Sequence, residues 1–288
     1  MPDVIRVGTR GSLLARTQTE WVLEQLRQAH PSVTFEAVII RTRGDRIQDR
    51  PLAEVGGKGL FTAELEAALL DGSIDFAVHS LKDLPAEDAP GLVLSAFPLR
   101  ADARDTLAGL SLAELPLGAT IGTGSLRREA QILQLRPDLV TKGIRGNVDT
   151  RLRKLDEGQY DAILLAMAGL RRLGIDRPDL HPLTVDQMVP AVGQGALAVQ
   201  SRAGDQGVLT LLASIDHADT RRRVEAERAF LTAYGGGCNV PAACHALLEG
   251  DGIRLIAVAT DAQGVLVRLE RRGADGEALG RELAAALR

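Results

Sequence analysis

The sequence predicts two α/β lobes with mixed β-sheets, followed by a small α+β C-terminal domain. Three observations carry that expectation. Short apolar runs alternate with helical patterns along residues 4–97 and again along 119–173, as in strands joined by crossover helices. A polar segment, Arg100-Ala101-Asp102-Ala103-Arg104-Asp105, and a Pro/Gly segment, Val189-Pro190-Ala191-Val192-Gly193-Gln194-Gly195-Ala196, bracket the second alternation. Beyond Ala218 the pattern changes to a helix and hairpin-linked strands, as at Asp261-Ala262-Gln263-Gly264. The expected domains are residues 1–98 with 194–215, residues 99–193, and residues 216–288. The length agrees, because 288 residues exceed the usual size of one core.

Residues 4–7 read as a short buried strand, followed by Gly8-Thr9-Arg10-Gly11-Ser12. Ser12 suits the N-cap of a helix to about residue 29, with Leu13, Leu14, Trp21, Val22 and Leu26 among its apolar positions. Residues 34–40 are β-branched and apolar, a second strand, and Arg41-Thr42-Arg43-Gly44-Asp45-Arg46 reads as a charged, mobile loop. Gly56-Gly57-Lys58-Gly59 precedes a helix carrying Leu60, Leu65, Ala68 and Leu69. Strands at 74–78 and 92–97 flank His79-Ser80-Leu81-Lys82-Asp83-Leu84-Pro85.

In the second lobe, strands at 119–122, 139–144 and 161–166 alternate with helices at 125–135 and 147–155 and a helical turn at 169–173. A strand at 197–200 can return to the first sheet. Two crossings of this kind make the hinge of a ligand-binding cleft. The third domain reads as a helix at 218–233, strands at 245–248, 253–260 and 265–271, and a closing helix at 276–287.

Composition is that of an ordinary soluble protein, 45% hydrophobic and 25% charged, so the core must come from Leu, Val, Ile and Ala, since aromatics make up only 3%. The first residues lack a basic region followed by an apolar run, so no signal peptide is expected. No apolar stretch reaches the roughly 20 residues that span a bilayer. Two cysteines six positions apart make no disulfide framework, and a reducing, cytoplasmic location is the expectation. A net charge of −4 argues against general nucleic-acid binding. Yet residues 121–155 hold eight basic and three acidic residues, a concentration that suits an anionic small molecule.

Sheets of this kind place ligands at the carboxyl ends of their strands, where Arg10, Lys58, Ser80, Lys82 and Asp83 fall. Gly122-Thr123-Gly124-Ser125-Leu126-Arg127-Arg128 brings backbone N–H donors, hydroxyls and two guanidinium groups to one helix start. Arg145-Gly146-Asn147 repeats the arrangement after the next strand, with Arg151 one turn beyond. Gly235-Gly236-Gly237 should end the preceding helix and leave Cys238 on a turn, as an accessible thiol or a buried small hydrophobe.

Several motifs fail. Gly rather than Ser or Thr follows Lys58, so Gly56-Gly57-Lys58-Gly59 is no nucleotide loop, and Gly122-Thr123-Gly124 lacks the third dinucleotide glycine. No Gly-x-Ser-x-Gly elbow exists, and Cys238, Cys244 and His245 have no second zinc knuckle, so no metal is expected.

Seven segments together resemble the porphobilinogen deaminase (hydroxymethylbilane synthase) family. They are Thr42-Arg43-Gly44-Asp45, Val55-Gly56-Gly57-Lys58-Gly59-Leu60-Phe61, Ala77-Val78-His79-Ser80-Leu81-Lys82-Asp83, Ser125-Leu126-Arg127-Arg128, Arg145-Gly146-Asn147, Pro190-Ala191-Val192-Gly193-Gln194-Gly195 and Gly236-Gly237-Cys238-Asn239-Val240-Pro241. The resemblance implies three domains, the first two lobed like periplasmic binding proteins. It also implies one dipyrromethane cofactor per chain, joined by a thioether to Cys238, on which four porphobilinogen molecules are condensed with loss of ammonia. It assigns the catalytic carboxylate to Asp83. Binding of the cofactor and substrate carboxylates falls to Arg10, Lys58, Ser80, Lys82, Thr123, Ser125, Arg127, Arg128, Arg145, Gly146, Asn147, Arg151, Arg172 and Gln194. A monomer with porphobilinogen as its small-molecule partner, and neither nucleic acid nor membrane, completes the expectation.

The residues alone favour Asp83 as a turn residue before Pro85 or an ion-pair partner of Lys82 over a carboxylate of the ligand site. They also leave a non-catalytic anion-binding module, or a nucleic-acid binder through residues 121–155, as alternative functions. Gly124 stands where the family commonly has serine, Leu81 replaces a frequent methionine, and Ala242-Ala243 replaces an apolar-Gly step.

Overall fold

The computed structural model describes residues 4–46, 59–235, 241–261 and 265–288. Its first elements are β1 (Val4–Arg10), α1 (Leu13–Ala29), β2 (Thr34–Ile40), α2 (Arg43–Arg46), α3 (Ala63–Leu70), β3 (Phe76–Ser80) and β4 (Leu92–Ala96). The middle of the chain supplies β5 (Asp105–Gly109), β6 (Thr120–Gly122), α4 (Leu126–Leu135), β7 (Val140–Lys142), α5 (Val148–Asp156), β8 (Ala162–Ala166), α6 (Met167–Arg172) and β9 (Leu180–Pro182). Then come β10 (Leu197–Arg202), α7 (Gln206–Leu212), α8 (Ala218–Tyr234), β11 (Ala243–Glu249), β12 (Gly252–Thr260), β13 (Leu266–Gly273) and α9 (Gly276–Ala286). The chain divides into two compact units, Met1–Ala101 with Ala196–Arg222, and Asp102–Gly195 with Arg223–Arg288.

The first unit is built on a five-stranded sheet in the order β2-β1-β3-β10-β4. β1 runs parallel to β2 and β3, whereas β10 is antiparallel to both β3 and β4, so the sheet is mixed. Ile5, Val7, Phe76, Val78, Leu197 and Val199 bury one face with Val22, Leu23 and Leu26 of α1. Leu65 and Leu69 of α3 cover Ala77 and Leu92 on the other. The Ser12 side chain accepts a hydrogen bond from the Ala15 amide at 3.2 Å, satisfying one of the otherwise orphaned donors of the first helical turn. The buried stripe of α1 is Gln18, Thr19, Val22, Leu23 and Leu26; Leu13 and Trp21, expected among its apolar positions, stay exposed. Residues 43–46 are helical rather than a loose charged loop, because Asp45 accepts from the Thr42 hydroxyl at 2.8 Å and Arg10 Nη2 at 2.6 Å.

The second unit holds another five-stranded mixed sheet, β7-β6-β8-β5-β9, in which β5 is antiparallel to β8 and β9. β5 corrects the sequence reading. The polar segment 100–105 was expected to be a break, yet its last residue, Asp105, begins a buried strand and is itself fully buried. β9 was not expected at all, since Leu180-His181-Pro182 has neither length nor alternation. Leu107, Ile121, Ile132, Leu139 and Leu164 pack one face of the sheet, and Ile144, Ile163, Leu165 and Leu170 the other. In the same unit β11, β12 and β13 form an antiparallel sheet, with α8 and α9 supplying Ala226, Phe230, Leu279 and Leu283 to a separate core. No helix among the described residues is long and apolar enough to cross a membrane.

Two outcomes follow from this packing. A Cβ on Gly280 of α9 would lie 2.5 Å from the Ala226 carbonyl oxygen and 2.8 Å from the Phe230 nitrogen, both backbone atoms that cannot swing aside. Gly280→Ala should therefore destabilise the protein by about 1–3 kcal/mol in urea denaturation, and an unchanged midpoint would refute this close approach. His79 in β3 is buried, and desolvation lowers its pKa from 6.5 to about 4. The unfolded chain binds a proton between those values and the native chain does not, so stability is greatest above pH 6.5 and falls as pH drops toward 4. The expected slope is about 1.4 kcal/mol per pH unit, and His79→Gln should flatten it in denaturant midpoints measured across that range.

Candidate functional site

In the first unit the expected residues gather at the carboxyl ends of β1 and β3. Arg10 is the last residue of β1, and Asp83 closes the 3-10 turn Leu81–Asp83 that follows β3. The turn is anchored by the Leu81 amide, which donates to the Ala196 carbonyl at 3.1 Å. Arg10 Nη1 lies 3.8 Å from an Asp83 carboxylate oxygen, while its Nε and Nη2 donate to Asp45 at 3.2 and 2.6 Å. The guanidinium also stacks over the Phe61 ring at 4.2 Å. Burial opposes ionisation of Asp45, but hydrogen bonding and charge from Arg10 prevail and hold its carboxyl below the ordinary value. Ser80 pairs with the buried Gln18 of α1 at 3.0 Å, and Lys82 occupies the middle of the turn. Asp83 therefore faces a guanidinium within ion-pair range. Lys58, expected beside these residues, lies outside the described residues, as does Cys238.

In the second unit two of the expected cations, Arg127 and Arg128, converge on a residue the sequence reading left in a polar break. Arg127 Nη1 donates to Asp105 Oδ2 at 2.7 Å and to the Val189 carbonyl at 2.8 Å, and its Nη2 reaches Oδ1 at 3.2 Å. Arg128 donates to Oδ1 through Nε at 2.9 Å and Nη2 at 2.7 Å, and through Nη1 to the Leu164 carbonyl at 2.9 Å. Gln194 Nε2 adds bonds to Oδ1 at 3.0 Å and to the Ala103 carbonyl at 2.7 Å. Burial alone would raise the Asp105 pKa, but the two arginines hold it well below the carboxylate range. Arg127 and Arg128 are thus already bound to an internal carboxylate, whereas the sequence reading had both free for an exogenous one. One signal could have revealed Asp105: a window with eight basic and three acidic residues needs an acid from elsewhere, and Asp105 heads the apolar run Thr106-Leu107-Ala108.

The remaining cations differ. Arg151 donates to the Gly146 carbonyl at 2.8 Å and makes no ion pair among the described residues. Burial and the nearby charges of Arg128 and Arg145 lower its pKa to about 10. Arg172, at the end of α6, donates to the Gly195 carbonyl at 2.8 Å, and burial lowers its pKa to about 10. Both stay cationic at neutral pH with no carboxylate partner among the described residues, which is the electrostatic signature of an anion site.

The loop before α5 is fixed through its carbonyls: Tyr160 donates to Gly143 at 2.9 Å and Lys154 to Arg145 at 3.1 Å. Gly146 has φ +112°, and a Cβ there would meet Thr150 at 2.6 Å, so the site requires glycine. Asn147 and Ser125 are the extended N-caps of α5 and α4, with no side-chain capping bond, and the Thr123 hydroxyl accepts from the Ser125 amide at 3.2 Å. A Cβ on Gly124, where the family commonly has serine, would stand 3.3 Å from the Ile144 carbonyl oxygen. A clustered guanidinium set of this kind fits a group bearing several carboxylates.

Comparison with known proteins agrees over nearly the whole chain. The family described as "Porphobilinogen deaminase, dipyromethane cofactor binding domain" matches residues 5–210, and "Porphobilinogen deaminase, C-terminal domain" matches residues 221–288. A porphobilinogen deaminase of Roseiflexus castenholzii is 50% identical, covering 97% of this chain and 93% of its own. That of Nitratidesulfovibrio vulgaris is 50% identical with 98% and 92% coverage, and that of Brevibacillus brevis 49% with 98% and 93%. Among solved structures, the methionine-binding protein MetQ is 14% identical with a TM-score of 0.47 over 77% of this chain and 93% of its own, too distant to bear on function. The matches to both family domains and to relatives along nearly their full length show that the chain belongs to the porphobilinogen deaminase family.

Proposed function

We propose that the chain is a cytoplasmic, monomeric hydroxymethylbilane synthase. It condenses four porphobilinogen molecules head to tail, releasing ammonia each time, on a dipyrromethane primer held through a thioether at Cys238, and then releases the linear tetrapyrrole by hydrolysis. When bound, the primer supplies the nucleophilic pyrrole carbon to which the first substrate is added. In the same reading residues 216–288 act as a third domain that presents Cys238, and Lys58 joins the binding set.

Each porphobilinogen carries an acetate and a propionate, so anionic charge accumulates as the chain grows. Arg145, Arg151 and Arg172 hold these carboxylates together with the uncommitted N–H groups of Arg127 and Arg128. Thr123, Ser125, Gly146 and Asn147 line the two helix starts of the second unit, and Ser80, Lys82 and Arg10 are the carboxylate-binding set of the first unit. A charge-assisted bond of this type contributes about 1.5–3 kcal/mol when shielded from water.

The observation that carries the catalytic assignment is Asp83, on a turn after β3 with Arg10 Nη1 3.8 Å away. Loss of ammonia from porphobilinogen leaves a delocalised cation, and the Asp83 carboxylate stabilises that positive charge and accepts hydrogen bonds from pyrrole N–H groups. Arg10 steers the carboxylate without quenching it, because its shorter bonds go to Asp45.

Intact-protein mass is the direct test of the primer. Protein from heme-competent cells should carry the mass of two condensed pyrrole units, and Cys238→Ser should lack it; an unmodified wild-type mass would leave only a binding module. Asp83→Ala should keep the primer mass and lose turnover by at least 100-fold in a porphobilinogen consumption assay. A near-normal rate would remove Asp83 from the chemistry.

A further inference from the structure

Asp105 belongs to none of the segments that carry the family resemblance, yet two of them meet on it. Arg127 and Arg128 come from Ser-Leu-Arg-Arg, and Gln194 comes from Pro-Ala-Val-Gly-Gln-Gly. Two guanidinium groups buried side by side at one helix start repel each other. A single carboxylate between them reduces a double positive charge to one and satisfies donors that would otherwise be desolvated without partners. Each guanidinium has five N–H donors. Arg127 commits three, to Asp105 twice and Val189 once, and Arg128 commits three, to Asp105 twice and Leu164 once. Two remain on each. The fixed bonds set the plane of each fork, so they also set the direction of the donors left over.

The same carboxylate reaches the loop that holds a third cation. Gln194 ties residues 193–195 to Asp105, the Gly195 carbonyl accepts from Arg172 at 2.8 Å, and the Gly193 amide donates to the buried Glu227 carboxylate at 2.7 Å. A shift at Asp105 is felt by Arg127 and Arg128 directly and by Arg172 through that loop.

We propose that Asp105 is a positioning residue for the condensation: it orients Arg127 and Arg128, and through Gln194 the support of Arg172, toward the carboxylates of primer and substrate without touching them itself. The proposal rests on the reading that these arginines hold those carboxylates. It differs from a structural role for a buried ion pair in what it affects, which is ligand affinity in molecules that are folded.

The test compares Asp105→Asn, Asp105→Glu, Arg128→Leu and, as a control for losing an ordinary salt bridge, Asp102→Asn. Asp102 pairs with Arg104 at 2.8 Å and Arg171 at 3.0 Å in the same unit. Each is expressed as the full chain, checked by circular dichroism melting, weighed intact for primer occupancy, and assayed for KM and kcat on the loaded fraction below its melting temperature. Asp105→Asn is expected to reduce primer occupancy at least twofold and raise KM for porphobilinogen at least fivefold, with kcat moving less. Asp102→Asn should stay within twofold of wild type in both. Should Asp105→Asn not fold, Asp105→Glu decides, since it keeps the charge and shifts the carboxylate by one methylene; there KM should rise at least threefold. Wild-type occupancy and KM in folded Asp105→Asn, or in Asp105→Glu, overturn the positioning role. Arg128→Leu separates the two failures: wild-type values in it remove the carboxylate-binding reading itself, while an impaired Arg128→Leu beside normal Asp105 variants removes only the role of Asp105.

Discussion

The second unit depends on one buried carboxylate. Asp105 is fully buried at the start of β5 and neutralises part of the charge of two guanidinium groups that are themselves buried. Without it neither arginine could remain both charged and desolvated at the first turn of α4, because isolated buried charges cost several kcal/mol each. With it, the helix start, the middle of β8 at Leu164 and the 189–195 segment are joined through polar atoms rather than apolar packing. Such an arrangement is demanding in geometry and unforgiving of loss, which suits a site where orientation matters more than stability.

The first unit solves a related problem differently. Arg10 is shared between Asp45 at hydrogen-bond distance and Asp83 at ion-pair distance, and the Phe61 ring covers one of its faces. Asp45 takes the strong bonds and leaves Asp83 with a weaker electrostatic partner. One carboxylate is thereby committed to hydrogen bonds, and the other keeps only an ion-pair contact with Arg10.

Much of this was legible in the sequence, and the exceptions share a cause. Short apolar runs located most strands and helices of both lobes, and the strand expected at 197–200 does return to the first sheet, because burial of β-branched and aliphatic side chains is a local signal. The segments around Asp83, Arg127 and Arg145 were readable as strand-to-helix turns for the same reason. Asp105 and Asp45 were not. An acid in Ala-Arg-Asp-Thr or Arg-Gly-Asp-Arg reads as solvated surface, and only its partners, 22 residues away for Arg127 and 35 for Arg10, turn it into a buried anchor. Partnership of that range is set by the folded topology. The same limit hid β5, whose first residue is a charge, and it named Trp21 and Leu13 among the apolar positions of α1, where the buried stripe includes Gln18 and Thr19 and not these two.

The place of β10 in the first sheet has a consequence for how the molecule is made. β3 and β4 follow each other along the chain but are not neighbours; β10, synthesised about a hundred residues later, lies between them and pairs with both. A nascent chain that ends before Leu197 therefore carries two open strand edges rich in Ala, Val, Leu and Phe, the kind of surface that recruits other chains. Completion of the first unit must wait for the intervening segment to emerge, and the long loop closure slows that step. Vectorial synthesis thus gives residues 102–195 the opportunity to fold first, so the lobe that begins the sequence is the one whose sheet is finished later.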